Sequence, residues 1–211
     1  MKVSQIINAD LDELLKEMAP MRLKKSLDKD IYQMTVSDAS LKERFTLVDT
    51  VTAAGGTIRC YLRKSLTAVI AVTDNPVAKE GENPNLIVCS LTFKDKSPLP
   101  KSLQVELVVT SERFRAGGIA SILYKTLALH GYVIVSDFTQ SDDGSKLWKR
   151  IASGKGEHLV VRVYDAKAHE FLKDKDDKEL QYAPKDVPDH DIWSEESDRG
   201  KILTLLVLSK K

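Results

Sequence analysis

Residues 108–120 read VVTSERFRAGGIA, and their types and order point to anion chemistry. The end of an apolar strand is followed by a polar turn, two adjacent glycines and the start of an amphipathic helix. The backbone N–H groups of a helix's first turn have no partner within the helix, and the helix dipole adds partial positive charge there. Gly117 and Gly118 let backbone approach a ligand closely. Arg113 and Arg115 contribute two full charges, and the small Ala120 and Ser121 leave room beside the helix. A phosphate-bearing ligand is the expected occupant. The stretch is not a Walker loop, because the Gly-Lys-Ser/Thr ending is missing, and it lacks the three spaced glycines of a dinucleotide fingerprint. A tight turn whose glycines serve only backbone geometry is the competing reading.

Other chemistry-bearing side chains are sparse. Cys60 and Cys89 both lie in apolar, β-rich stretches, where a free thiol packs as a small hydrophobe. His130, His158, His169 and His190 show no spacing that would complete a zinc tetrad with two separated cysteines, so no metal is expected. RLKK at 22–25 could touch phosphate, although a solvated helix face explains it as well.

Composition narrows the class. The 211 residues fit one ordinary domain with an appendage, and 42% apolar with 30% charged residues is a globular balance. Lys plus Arg is 32 against 31 acidic residues, so nucleic acid is a permitted but not a favoured partner. No apolar run approaches the roughly 20 residues of a membrane span, and no membrane association is expected. The opening MKVSQIINADLDELL reaches acidic residues before an apolar run can form, which argues against a secretory leader and for a cytoplasmic protein.

The elements that must position the turn follow from periodicity. Leu11, Leu14, Leu15 and Met18 predict a helix over 10–19, ended by Pro20, within an N-terminal helical segment 1–44. From Phe45 the period becomes that of β-structure. Residues 57–63 alternate, 66–73 and 86–93 are strand-sized apolar runs, and 103–110 leads into the turn. The pattern then switches to a helix over 119–130, a short buried strand over 132–136 and a helix over 142–152 that Ser141 can cap. Strands at 158–164 and 201–209 complete the series. Residues 165–200 hold 12 acidic and 6 basic residues and form an acidic insertion or lid, with a helix expected over 169–180.

In that setting Arg115-Ala116-Gly117-Gly118-Ile119-Ala120 fits R/Q-x-x-G-x-G/A between a strand and a helix. It resembles the acetyl-CoA-binding motif of the GNAT superfamily of acyl-CoA N-acyltransferases, and the order of elements is similar over about three quarters of the chain. The resemblance implies an α/β (α+β) fold over 45–211, with a mixed, mostly antiparallel central sheet flanked by helices and the 165–200 insertion before the last strand. It implies acetyl-CoA as cosubstrate, no metal, and an amine acceptor on a protein, a small molecule or a modified nucleobase. Arg115, Ala116, Gly117, Gly118, Ile119 and Ala120 would cradle the pyrophosphate, and Val108, Val109 and Thr110 would pair with the pantetheine arm. The family's second signature, roughly N-x-x-A-x-x-L-Y, falls on residues 141–148. Ser141 stands for the Asn, Gly144 for the Ala and Trp148 for the Tyr.

An indole N–H cannot protonate a departing thiolate at neutral pH, so Trp148 is no general acid. It could pack on the pantetheine, or serve as a core aromatic beside Leu147 and Ile151. Glu106, amid the apolar neighbours of LQVELVV, is the candidate general base, with desolvation expected to raise its pKa. Ser136, Asp137, His130 and His158 come second, and His190 and Trp193 could reach a site only from the insertion. The run 136–148 is similar to a variant found in GNAT-like proteins of tailed bacteriophages, which would place the chain in a host cytoplasm. Three readings stand: an N-acetyltransferase, a GNAT-fold binding or structural protein without catalysis, and a nucleic-acid-modifying GNAT-like protein.

Overall fold

The computed structural model describes residues 34–53, 56–137, 142–154, 158–187, 192 and 204–211. The helix expected over 10–19 lies outside them. The chain forms a mixed α/β architecture in which strands pair mostly antiparallel, and it divides into two compact units. The first comprises the described part of Met1–Thr92 together with Leu107–Ile119. The second comprises Phe93–Glu106 and the described part of Ala120–Lys211.

The first unit is a meander. Strand β1 spans Met34–Val36, helix α1 Asp38–Arg44, β2 Phe45–Ala53, β3 Gly56–Arg63, β4 Ala68–Asp74 and β5 Asn85–Phe93. Strands β2 to β5 pair antiparallel in sequence order, and β1 adds to the start of β5 with Val36 opposite Asn85. Within the N-terminal segment 1–44, the stretch up to about Asp38, which shows no clear period, therefore ends in a strand, because the start of β5 offers Thr35 and Val36 a pairing edge. Helix α1 then starts where the Ser37 hydroxyl accepts from the Ser40 N–H at 3.2 Å. It stops at Phe45, whose N–H donates to the Leu41 carbonyl. Every residue of β5 is buried. Val36, Leu41, Phe45, Ile70, Val72 and Ile87 close one core over it.

The second unit is built on β6 (Ser102–Thr110), β7 (Val133–Val135), β8 (Leu159–Asp165), β9 (Glu170–Phe171) and β10 (Thr204–Lys210). The unit boundary cuts β6 between Glu106 and Leu107. Strands β6 and β7 run parallel from Ser102↔Val133 to Gln104↔Val135, and β10 pairs antiparallel with both β7 and β8. Helix α2 (Ile119–Leu129) supplies the crossover from β6 to β7, as a parallel pair requires. Helix α3 (Asp142–Ser153) follows β7. Val135, Tyr164, Ala166, Leu205 and Val207 form the core cluster of this sheet.

The helix expected over 169–180 does not form. His169 and Asp177 sit at φ 59° and 60°, left-handed conformations that no α-helix carries through. The Asp174 carboxylate instead accepts from the N–H groups of Asp176 (2.8 Å) and Lys178 (3.0 Å) and turns the chain back. Val163 donates to Leu180 at 3.1 Å and accepts from Leu172 at 2.9 Å, so the described start of the acidic insertion is a hairpin laid on β8. The Phe171 ring meets Tyr164 edge-on at 5.2 Å.

Candidate functional site

The glycine-bearing turn between β6 and α2 is assembled locally. Strand β6 ends with Val108, Val109 and Thr110, all half-buried. The Ser111 N–H donates to the Val88 carbonyl at 2.9 Å, which fixes where the strand stops. Residues Glu112–Gly117 then wind into a 3-10 helix, begun by the Phe114 N–H donating to Ser111 at 2.8 Å. Arg113 stacks over the Phe114 ring at 5.7 Å. The Arg115 Nε donates to the Thr110 carbonyl at 3.3 Å across the base of the turn. Gly118 ends the 3-10 helix at φ 68°, ψ 21°, and α2 begins at the next residue.

This geometry narrows the expected cradle. The i→i+3 bonds of a 3-10 helix engage the N–H groups towards its end, so those of Arg115, Ala116 and Gly117 are not the open ones. The donors without helical partners move to the first turn of α2, at Ile119, Ala120 and Ser121. A Cβ built on Gly118 would meet nothing within 4 Å, so the backbone there is open to a ligand. Glycine adopts this left-handed φ without the strain an L side chain would carry. The Ser121 hydroxyl is buried and has no hydrogen-bond partner among the described residues. Ile119, Leu123 and Leu127 are the buried stripe that anchors the helix.

Glu106 is exposed on β6, so the burial on which its expected desolvation depended is absent. Gln104 is the buried residue on that face of the strand. Its Nε2 donates to the Ser136 carbonyl at 3.2 Å, where β7 ends. Ser136 is itself buried, and its hydroxyl accepts from the Leu206 N–H at 3.0 Å. Asp137 next to it takes a 2.6 Å ion pair from Lys94. Of these, Ser136 and Asp137 were candidates from sequence. Gln104 and Lys94 were missed, although a polar residue inside an apolar strand is the signal that could have found Gln104.

Trp148 is buried, 1% exposed, and meets Tyr124 edge-on at 5.3 Å. Its indole holds α3 against α2 in the second unit. His130 is exposed, with Nδ1 2.9 Å from the Thr126 carbonyl, and His158 is exposed. Ser141, His190 and Trp193 lie outside the described residues.

Cys60 and Cys89 are buried thiols, not joined in a disulfide, on β3 and β5, with Ala71 of β4 between them in register. Burial pushes the Cys89 thiol up to about 12, against a weaker opposing effect from the Thr110 hydroxyl 3.2 Å away. It is therefore protonated and unreactive at neutral pH. The cavity beside it, lined by Met34, Ile87, Val109 and Ser111 among others, measures about 10 Å³ and has room for one water at most. Among the described residues no cluster of His, Cys, Asp and Glu could hold a metal ion, and no helix is long and apolar enough to cross a membrane.

No protein-family model, curated protein or solved structure matches the chain.

Proposed function

We propose that the chain is a GNAT-like protein that binds acetyl-CoA and passes its acetyl group to an amine. The observation that carries this reading is the left-handed Gly118 between β6 and α2, with open space where a side chain would project. A strand, a tight turn and a helix N-terminus in this order form an anion cradle, and it falls on the residues of the R/Q-x-x-G-x-G/A resemblance.

In this reading the first-turn N–H groups of α2 hold the pyrophosphate. Arg115, braced on Thr110, adds charge from its remaining guanidinium donors. The half-buried backbone of Val108, Val109 and Thr110 lines up the pantetheine arm. Acetyl-CoA supplies an activated thioester. The chain's own part is to position it, to donate hydrogen bonds to the oxygen that gains charge, and to accept the amine's proton. Glu106, solvent-exposed on the strand leading to the cradle, is the carboxylate available for that last role.

The burial of Trp148 against Tyr124 favours a second reading, a GNAT-fold binding protein without turnover, since the indole offers no acid for the thiolate. Thiol release from acetyl-CoA in the presence of small amines, basic peptides or DNA separates the two. Acceptor-dependent thiol release supports the transferase. Binding of acetyl-CoA without release on any acceptor supports the binding protein, and salt-sensitive DNA binding would point to the nucleic-acid-modifying reading.

A further inference from the structure

Strand β2 pairs with β3 and with no other described strand, so among the described residues one side of its backbone is an edge. Its sequence, FTLVDTVTA, is rich in β-branched residues and carries one charge, Asp49. Long, weakly charged edges of this kind invite a further strand, and the segment always at hand to supply one is the same strand of a second copy.

Three local features close this edge. In an antiparallel pair alternate residues turn their N–H groups away from the partner strand. Phe45 is one such residue, and its N–H is taken by the Leu41 carbonyl at the end of α1. A bulge between Leu47 and Asp49 then breaks the register and re-aims the strand. Beyond the bulge the outward N–H of Thr50 donates to the Asp49 Oδ1 at 2.7 Å. The single charge in the strand thus sits on one of the outward N–H groups that an incoming strand would have to engage.

We infer that β2 is a guarded edge, on which the Asp49 carboxylate occupies the Thr50 N–H and keeps a second copy of this chain from adding its own β2. Two Asp49 side chains brought together by antiparallel self-pairing would also repel each other. The guard acts at a position remote in sequence from the acetyl-CoA cradle and does not depend on that reading.

The test uses the full chain and sedimentation velocity over a dilution series, with Asp49→Val and the double variant Asp49→Val, Thr50→Pro. Proline removes the outward N–H at a place where an edge strand tolerates it. The wild type should keep one sedimentation coefficient. Asp49→Val should sediment faster as concentration rises, and the double variant should return to wild-type behaviour. Amide exchange provides a second reading that does not rely on the proline variant. In Asp49→Val, protection that grows with concentration should appear over residues 45–53 and not elsewhere. An Asp49→Val protein that sediments like the wild type overturns the inference, as does association protected at any other segment. Concentration-dependent protection of 45–53 in the wild type would overturn it equally.

Discussion

Arg115 turns its side chain back onto Thr110, donating from Nε to the carbonyl that ends β6 at 3.3 Å. The bond spans the base of the 3-10 turn and joins its last strand residue to its basic residue. It engages one of five guanidinium donors and leaves the others without a bond to this carbonyl. The residue is thus part of the turn's own framework.

If Glu106 is the base, Glu106→Gln should slow acetyl transfer by about a hundredfold or more, the lower end of what general-base catalysis contributes, while leaving acetyl-CoA affinity unchanged. The side chain is exposed, so the fold should tolerate the change. Single-turnover rates beside a binding titration check this, and an unaltered rate removes Glu106 from the chemistry.

Asn85 is the polar knot of the first unit. It is buried, accepts from the Arg59 guanidinium at 2.9 Å, and donates to the Val36 carbonyl at 3.1 Å and the Asp38 carboxylate at 2.8 Å. Asn85→Ala removes the side-chain bonds that join β5 to Val36 and Asp38 and takes a donor from the buried Val36 carbonyl. A loss of about 1–3 kcal/mol in denaturant unfolding is expected. A change within error would show that water replaces the amide without cost.

Leu66 occupies the turn between β3 and β4 at φ 60° with its side chain 45% exposed. A left-handed leucine is strained, and the burial of its half-exposed side chain offsets only part of that strain. Leu66→Gly should therefore stabilise the protein by about 0.5–1 kcal/mol, read as a higher midpoint in thermal unfolding. A lower midpoint would contradict the strain.

The hairpin on β8 should be sensitive to acid. Backbone N–H bonds from Lys178 and then Asp176 hold the Asp174 carboxyl below its ordinary value of 3.8. A carboxyl lowered on folding contributes stability above its unfolded value, and that contribution is lost as pH falls through the folded one. Amide exchange at Asp176 and Lys178 should therefore quicken below about pH 4 relative to exchange elsewhere. Asp174→Ala should abolish that pH dependence, and its persistence in the variant would place the titrating group elsewhere.

The strands were legible in the sequence because burial on a pleated sheet writes itself as alternation or as a short apolar run. The β3 and β5 segments show each pattern. Helix α2 was legible through Ile119, Leu123 and Leu127, which the structure buries. Residues 169–180 were not, because a charge-dense segment carries no period and its path is set by one carboxylate and two left-handed residues. Strand β1 was hidden for another reason. Its pairing with β5 joins Val36 to Asn85, a contact far apart in the chain that local pattern cannot register. On β6 the alternation shows Gln104 and Glu106 on one face but not that one is covered and the other exposed. The turn of the candidate site was recognisable by residue type. That a 3-10 helix spans Glu112–Gly117, with Gly118 left-handed at its end, follows only from its coordinates.

The central claim is that the turn from Thr110 to the start of α2 holds acetyl-CoA. Calorimetric titration of the full chain with acetyl-CoA and with CoA, repeated on Arg115→Glu, tests it most directly. The account predicts binding of both ligands by the wild type, weakened roughly tenfold or more in the variant by the reversed charge beside the phosphates. Absence of binding by the wild type, or equal affinity in Arg115→Glu, would contradict it.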